Sequence, residues 1–365
     1  MEFNYEGKES KDSILKRAHA HRRIEVDPGN SLLIKGDNFD VLSSMLESGY
    51  SEKIDLIYID PPFNTKQSYT VGESRVSTIS RGPKSHIAYS DHMSTQDYLE
   101  FMRERFVILR ELLSKQGSIY VHIDNKMGHY LKIILDEVFG IKNFKNDITR
   151  IKSNPKNFTR KAFGNQKDMI LFYSKDFNKN IFNNVSSHLD EADVARMFKK
   201  IDKDGRRYNT VPVHAPGETA NGSTGGLWRD MMPPEGRHWR TDPVELEKLD
   251  KKGLIEWSKN GVPRIKKYAD EHTGKKLQDI WNYIDPAYPL YPTEKNLEML
   301  KMIILQSSNK NSTVLDCFAG SGSTLFAAST LGRTWIGIDQ SDYSIKVIKN
   351  RFKGVQYDYL EYKLH

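Results

Sequence analysis

The sequence predicts an α/β protein built on a doubly wound, largely parallel sheet of seven strands, and three observations carry that prediction. Short apolar runs begin near residues 31, 54, 119, 147, 169, 313 and 334, and most are followed by stretches with helical periodicity. One run, Ile54 to Ile59, stops on Asp60-Pro61-Pro62-Phe63, and two successive prolines end a sheet ladder abruptly. Another run, Val314-Leu315-Asp316, enters the small-residue turn Cys317-Phe318-Ala319-Gly320-Ser321-Gly322-Ser323 and then a helix.

Residues 1–23 are polar and end in Lys16-Arg17-Ala18-His19-Ala20-His21-Arg22-Arg23, which reads as a partly disordered terminus, with a basic arm that touches a polyanion or a partner subunit as the alternative. The first strand, residues 31–37, leads into a helix through Val41, Leu42 and Leu46, with Asp37 placed as its cap. After the Pro-Pro stop, residues 66–89 are polar and glycine-containing, with Arg75, Arg81 and Lys84. A loop this long beside a strand end is expected to be a functional flap or a surface insertion. Tyr98, Met102, Phe106, Leu109 and Leu113 then recur at helical spacing after a Ser/Thr start, a core stripe. Residues 117–124 form the next strand, with His122 expected as a satisfied core histidine, and a helix from Met127 ends at Gly140.

Residues 145–175 carry eight Lys/Arg against two Asp. Arg150, Lys152, Lys156, Arg160 and Lys161, with asparagines and Phe158 between them, have the mixture of cations and short amides that suits phosphate contact. From about residue 176 the charge becomes nearly balanced, and a glycine-rich 216–226 stretch and the residues Trp228, Trp239, Trp257 and Trp281 appear. This reads as an inserted module. Within it, Glu245 to Lys252 is expected as a helix, Leu254 to Ile265 as a hairpin through Lys259-Asn260-Gly261, and Arg237 and Arg240 flank Trp239 as a phosphate or guanine clamp or as the rim of a core. The chain returns to the main fold at Tyr291-Pro292-Thr293-Glu294-Lys295-Asn296, followed by a helix through Leu297, Leu300 and Ile303. A helix ending at Gly332, a strand to Asp339 and a last helix from Ser341 to Phe352 complete it.

Chemically, the strand end at Asp60 offers an acid, a rigid carbonyl and a ring together. Asp60 and the Pro61 carbonyl can accept both protons of an exocyclic NH2, directing the nitrogen lone pair outward, while Phe63 stacks on a flat heterocycle. Asp339, 17 residues beyond Gly322, is placed to take ribose hydroxyls.

At these residues the chain resembles the DNA amino-methyltransferases that use S-adenosylmethionine, in the circularly permuted β class that includes the modification subunits of Type III restriction systems. Asp60-Pro61-Pro62-Phe63 is similar to their catalytic motif, and Phe318-Ala319-Gly320-Ser321-Gly322 to their cofactor loop. The resemblance spans about residues 32–352 and implies a Rossmann-like, seven-stranded, permuted methyltransferase with an inserted target-recognition module. It implies an N-terminal arm at 1–23, a catalytic half at 24–175, the recognition module at 176–284 and a cofactor-binding half at 285–365. It implies cofactor contacts at Asp37, Thr293, Lys295, Asp316, Phe318, Ala319, Gly320, Ser321, Gly322, Ser323 and Asp339. Tyr291 and Asn296 depart from the family's His-Pro-Thr-x-Lys-Pro. Catalysis falls to Asp60, Pro61, Pro62 and Phe63, and DNA contact to Asn64, Thr65, Arg150, Lys152, Lys156, Arg160, Lys161, Arg237 and Arg240. An Asp opening the catalytic motif resembles the adenine-N6 enzymes; cytosine-N4 methylation and a catalytically silent DNA-binding subunit are the alternatives.

Expected partners are double-stranded DNA, a second copy of the chain and a restriction endonuclease. The single cysteine, Cys317, rules out an internal disulfide or a multi-cysteine zinc site, and no metal is expected. No apolar stretch reaches membrane-spanning length and no signal-peptide pattern opens the chain, so a cytoplasmic, nucleoid-associated protein of a prokaryote or phage is expected. A nicotinamide dehydrogenase is disfavoured, because the turn lacks a third glycine and that chemistry has no use for Asp-Pro-Pro-Phe.

Overall fold

Parallel pairing of two distant segments organises the structure. The computed structural model describes residues 3–25, 29–62, 68–71, 76–77, 86–90, 93–154, 161–187, 189–219, 222–286 and 294–363. Its main sheet contains β1 (Leu32–Lys35), β2 (Ile54–Ile59), β3 (Leu113–Ile123), β4 (Phe144–Ile151), β5 (Lys167–Ser174), β6 (Ile280–Asn282), β7 (Thr313–Asp316), β8 (Thr334–Asp339) and β9 (Asp358–Glu361). Their spatial order is β6-β4-β5-β3-β2-β7-β8-β1-β9. Only β5 runs against its neighbours. The seven expected strands are present, and two short edge strands, β6 and β9, extend the sheet. Each adds by parallel pairing along three or four residues, too short a run to leave a pattern in sequence.

Helices cover both faces. On one lie α1 (Lys11–Ala18), α2 (Asn38–Met45), α3 (Thr95–Leu112) and α4 (Gly128–Leu135), whose apolar residues share a core with Ile57, Ile59, Leu315 and Ile338. α3 starts where the sequence signal lies, with Ser94 accepting from the Asp97 amide at 3.1 Å. The other face carries α5 (Leu297–Ser307), α6 (Ser323–Thr330) and α7 (Asp342–Arg351). α5 is tied to the sheet where the Tyr120 hydroxyl meets Ser307 Oγ at 2.7 Å. α6 crosses the sheet at Gly337, where a Cβ would lie 2.3 Å from Leu325 Cδ1, so only glycine admits the helix this close.

The polar N-terminus is not a solvated tail. Ile14 and Ala18 of α1 are fully buried, Lys8 pairs with Glu137 at 2.8 Å, Arg17 pairs with Glu104, and Arg17 lies over the Phe39 ring at 4.5 Å. Two apolar residues one turn apart carried this docking, and the surrounding charges hid them. Of the 66–89 segment, the backbone of Ser68–Val71 pairs antiparallel with Val76–Ser77 and His86–Ser90; the rest lies outside the described residues.

The chain divides into two compact units, residues 1–185 with 278–365, and residues 186–277. The sequence had placed the inserted segment at 176–284. Its flanks belong to the larger unit, because Asn183 is bonded to the end of α5 and residues 280–282 form β6. In the smaller unit, Arg207–Pro212, Pro263–Tyr268 and Ile255–Trp257 form an antiparallel sheet with Lys200–Ile201, and Pro243–Lys251 is the expected charged helix. Trp239 is the core of this unit: it is buried, donates Nε1–H to Gly226 O at 2.7 Å and meets Trp228 edge-on at 5.9 Å. Trp239→Ala is expected to destabilise this unit by about 3–5 kcal/mol. Hydrogen exchange should then accelerate across Arg207–Pro212 and Pro263–Tyr268 while Ile54–Ile59 keeps its protection.

Candidate active site

β2 and β7 are adjacent and parallel, with Leu56 opposite Val314 and Ile57 opposite Leu315. Their carboxyl ends therefore bring Asp60-Pro61-Pro62 and the Cys317–Gly322 turn to one sheet edge, where open α/β folds bind ligands. A cavity of about 210 Å³ opens there, lined by Asp60, Pro62, Lys295, Asp316, Phe318, Gly320 and Asp339 among others.

The prolines leave no amide hydrogens to continue the ladder, and the Pro62 carbonyl is fixed by the Tyr98 hydroxyl at 2.7 Å. Asp60 Oδ2 is ion-paired with Lys295, while Asp60 Oδ1 is buried without a hydrogen-bond donor among the described residues. A buried acceptor of this kind is costly unless a ligand N–H meets it.

The turn after β7 is built from within. Asp316 accepts from the Phe318 amide at 3.0 Å, and Gly322 sits at φ +72°, where a side chain would both strain the backbone and strike Ile348 at 2.9 Å. Asp339 accepts from the Gly320 amide at 2.8 Å and the Ser341 amide at 2.9 Å. Sequence placed Asp339 as a ribose contact; it lines the cavity and also braces the turn. Asp37 likewise caps α2, accepting from the Phe39 amide at 2.8 Å, and lines the cavity. Burial pushes the Asp316 carboxyl up to about 7 and moves Asp339 in the same direction. Cys317 is buried, and burial raises its thiol, so it is an inert core group.

Several residues that sequence reasoning assigned to the core, or passed over, hold this arrangement. The Asn38 side chain donates to Cys317 O at 2.9 Å and accepts from Arg105 Nε at 2.5 Å, and Arg105 lies 3.5 Å over the Phe101 ring, which backs Phe318. Arg351 donates to Ser323 Oγ at 2.9 Å and pairs with Glu294, tying the segment that carries Lys295 to the start of α6. The signal for Tyr98 was present but read as core, since one residue can do both.

Beside the cavity, Tyr58 and His122 form a buried pair, with Tyr58 Oη 2.8 Å from His122 Nδ1; His122 Nε2 lies 3.3 Å from Asp168 Oδ2. Burial depresses His122, leaving it neutral. Burial acts to raise Asp168, but the His122 hydrogen bond and Lys152, at 2.6 Å, outweigh it and hold the carboxyl well below its usual range.

Of the expected phosphate contacts, Arg150 is corrected. It is fully buried, paired with Asp285, and donates to Tyr283 O at 2.9 Å. A strand residue pointing into the fold cannot meet a surface polyanion; the charge count over 145–175 could not show which face each cation takes. Lys152 is partly exposed and engaged with Asp168, Lys161 is exposed, and Arg237 and Arg240 belong to the smaller unit, where Arg237 lies 3.1 Å from His214 Nδ1 and Arg240 donates to Pro212 O. Phe63, Asn64, Thr65, Lys156, Phe158, Arg160 and Thr293 lie outside the described residues. Among the described residues there is no cluster fit to hold a metal ion and no helix long and apolar enough to cross a membrane.

A doubly wound sheet that brings an acid-lined glycine turn and an Asp-Pro-Pro loop to one cavity at its carboxyl edge has the architecture of an α/β enzyme. Residues 54–350 match the N6/N4 DNA methylase family, and the chain belongs to it. It is 40% identical over 364 residues to the Type II methyltransferase M.EcaI of Enterobacter cloacae, covering 96% of this chain and 77% of that protein. It is 26% identical to the Type III StyLTI Mod subunit of Salmonella typhimurium, over 89% of this chain and 54% of that subunit. The chain thus spans about half the length of that Type III relative. The solved M1.HpyAVI–SAM complex is similar at 18% identity and a TM-score of 0.44, over 88% of this chain and 99% of that one.

S-adenosylmethionine is the methyl donor of this family, and the residues here fit it. The buried carboxylates Asp316 and Asp339 suit its ammonium and ribose hydroxyls, Phe318 its heterocycle, and the glycine turn leaves room for close approach. Two expectations follow. Because Asp316 ionises only near pH 7, uptake of the cationic donor at roughly pH 6 should expel a proton. Calorimetry in buffers of different ionisation enthalpy should register that proton, and the effect should vanish above about pH 8 and in Asp316→Asn. Arg150→Met should lower stability by about 3 kcal/mol in thermal unfolding, with the salt dependence of DNA binding unchanged.

Proposed function

We propose that the chain is the modification methyltransferase of a restriction–modification system, methylating N6 of an adenine rotated out of duplex DNA. The observation that supports this reading is the buried, donor-free Asp60 Oδ1 in one cavity with the glycine turn. Asp60 Oδ1 and the Pro61 carbonyl accept the two amine hydrogens, so the nitrogen lone pair projects into the cavity. An Asp at the head of the motif favours adenine. Bound S-adenosylmethionine supplies a methyl carbon made electrophilic by its sulfonium. Lys295 holds Asp60 Oδ2, so the clamp is rigid before substrate arrives, and the carboxylate stabilises positive charge developing on nitrogen.

Phe63 stacks on the extruded base. Asn64, Thr65, Lys152, Lys156, Arg160 and Lys161 contact DNA, and the 186–277 unit reads the target sequence with Arg237 and Arg240 among its contacts. A second copy of the chain and a cognate endonuclease are the proposed partners, in a prokaryotic cytoplasm.

Expression in a methylation-free host, followed by nucleoside analysis of its DNA, should yield N6-methyladenine. Asp60→Ala should bind the donor as the parent does but lose about a hundredfold or more in methyl transfer. N4-methylcytosine in place of N6-methyladenine would overturn the choice of base; full activity in Asp60→Ala would overturn the clamp.

A further inference from the structure

We propose that Tyr58 is a catalytic residue that takes the proton shed by the methylated amine, with His122 and Asp168 as positioning residues behind it. The proposal rests on amine methylation at Asp60 and adds the route by which its proton leaves.

Tyr58 is the last residue but one of β2 and Asp60 is the first residue beyond it, and both line the cavity. In the neighbouring strand Tyr120 pairs with Tyr58, which sets His122 on the same face as Tyr58, one step nearer the strand end. The protons of the Tyr58–His122–Asp168 chain are determined by elimination. The Asp168 carboxylate, engaged by Lys152 at 2.6 Å and with Arg150 at 3.8 Å, can only accept, so His122 carries its hydrogen on Nε2. A neutral imidazole then has a bare Nδ1, and the Tyr58 hydroxyl must donate to it across 2.8 Å. With its hydrogen committed there, Tyr58 Oη has only lone pairs left for a further partner. The other charged groups around this oxygen are Asp60 and Lys295 at the clamp, Asp316 across the β2–β7 pairing, and Asp285 beside Arg150.

As the carbon–nitrogen bond forms and the carbon–sulfur bond breaks, the sulfonium's charge passes to the amine nitrogen. The amine hydrogen held by the Pro61 carbonyl is the one given up: its N–H bond breaks while a new O–H bond forms on Tyr58, and Asp60 Oδ1 keeps the other hydrogen. The original Tyr58 O–H breaks in the same movement and an Nδ1–H forms on His122, whose imidazolium charge faces Asp168. When product leaves and water enters, the Nδ1 proton returns to Tyr58, and the proton that Tyr58 took from the amine passes to water, so no group is consumed. Asp60 keeps Lys295 on Oδ2 throughout. The arrangement uses the His–carboxylate logic of hydrolase triads, with a phenol in place of the nucleophile.

Tyr58→Phe removes one oxygen and keeps the ring. Single-turnover methyl transfer should fall about a hundredfold, with donor and duplex dissociation constants unchanged. Asp168→Asn provides a second, independent readout. Lys152 pins the retained carbonyl oxygen, so the new amide donates to His122 Nε2, the histidine hydrogen moves to Nδ1, and the phenol hydrogen turns into the cavity. Nitrogen-15 spectra should show the protonated and bare ring nitrogens of His122 exchanged, assigned by loss of that signal in His122→Gln, and methyl transfer should slow to a similar degree. Parental transfer rates in Tyr58→Phe, or a loss accounted for by weaker donor or duplex binding, would overturn the relay. Asp60→Ala run alongside separates the two ideas: inactivity there with full activity in Tyr58→Phe defeats the relay alone, and activity in both defeats amine methylation at this site.

Discussion

The parallel pairing of β2 with β7 is the constraint on which the rest of the molecule depends. The two strands are separated by more than 250 residues of chain, yet Leu56 lies opposite Val314 and Ile57 opposite Leu315. A register slip of one residue would turn Tyr58 and Asp60 to the opposite face and aim Ile57 and Ile59 at the cavity. What prevents the slip is burial on both sides. Ile57 and Leu315 enter the core under α2 and α3, while Tyr58 and Tyr120 face α5. The catalytic geometry is thus a by-product of where apolar side chains must go.

Around that pairing the cavity concentrates charge in a graded way. Asp316 and Asp339 lie deepest and are raised by burial; Asp60 shares its charge with Lys295; Asp37 sits nearer solvent and caps a helix. Uncompensated carboxylates in such a place oppose folding, and the protein offsets them with backbone amides at Phe318, Gly320 and Ser341 rather than with further cations. A site neutralised by lysines and arginines would repel a sulfonium donor. With Lys295 on Asp60 and Arg105 beside Asp37, Asp316 and Asp339 are met by amides, which leaves the field there negative enough to attract it.

The fold was legible in sequence because its signals are local and strong. A proline pair after Ile59, glycines at 320 and 322, and apolar runs of strand length each report a backbone event within a few residues. The positions of Asp60 and Asp316 followed from the rule that ligands collect at strand carboxyl ends. What was not legible was every property that depends on side-chain direction. Arg150 and Lys152 are two residues apart in a basic stretch; the first is buried against Asp285 and the second reaches the surface, a difference set by tertiary packing. Lys295 was read as a donor contact and also holds Asp60, because the partner lies 235 positions away. The arm at 1–23 was misread for the opposite reason: two buried residues, Ile14 and Ala18, outweigh a surrounding run of charge, and composition averages them away.

Buried polar chemistry occurs on both faces of the sheet, with different roles. On the α1–α4 face the buried cations Arg103 and Arg105 of α3 are satisfied by Glu137, Glu9 O and Asn38 around an apolar core. The α5 face holds Tyr58, Tyr120 and His122, and each hydroxyl or ring nitrogen there finds a partner on another element, Ser307 on α5 or Asp168 on β5. A network of this kind is favourable only when every member is satisfied, so its hydrogens are fixed in direction as well as in place. At the cavity wall that direction becomes a chemical property. An oxygen whose hydrogen is committed inward presents only lone pairs outward, and a reaction that sheds a proton needs such an acceptor beside it.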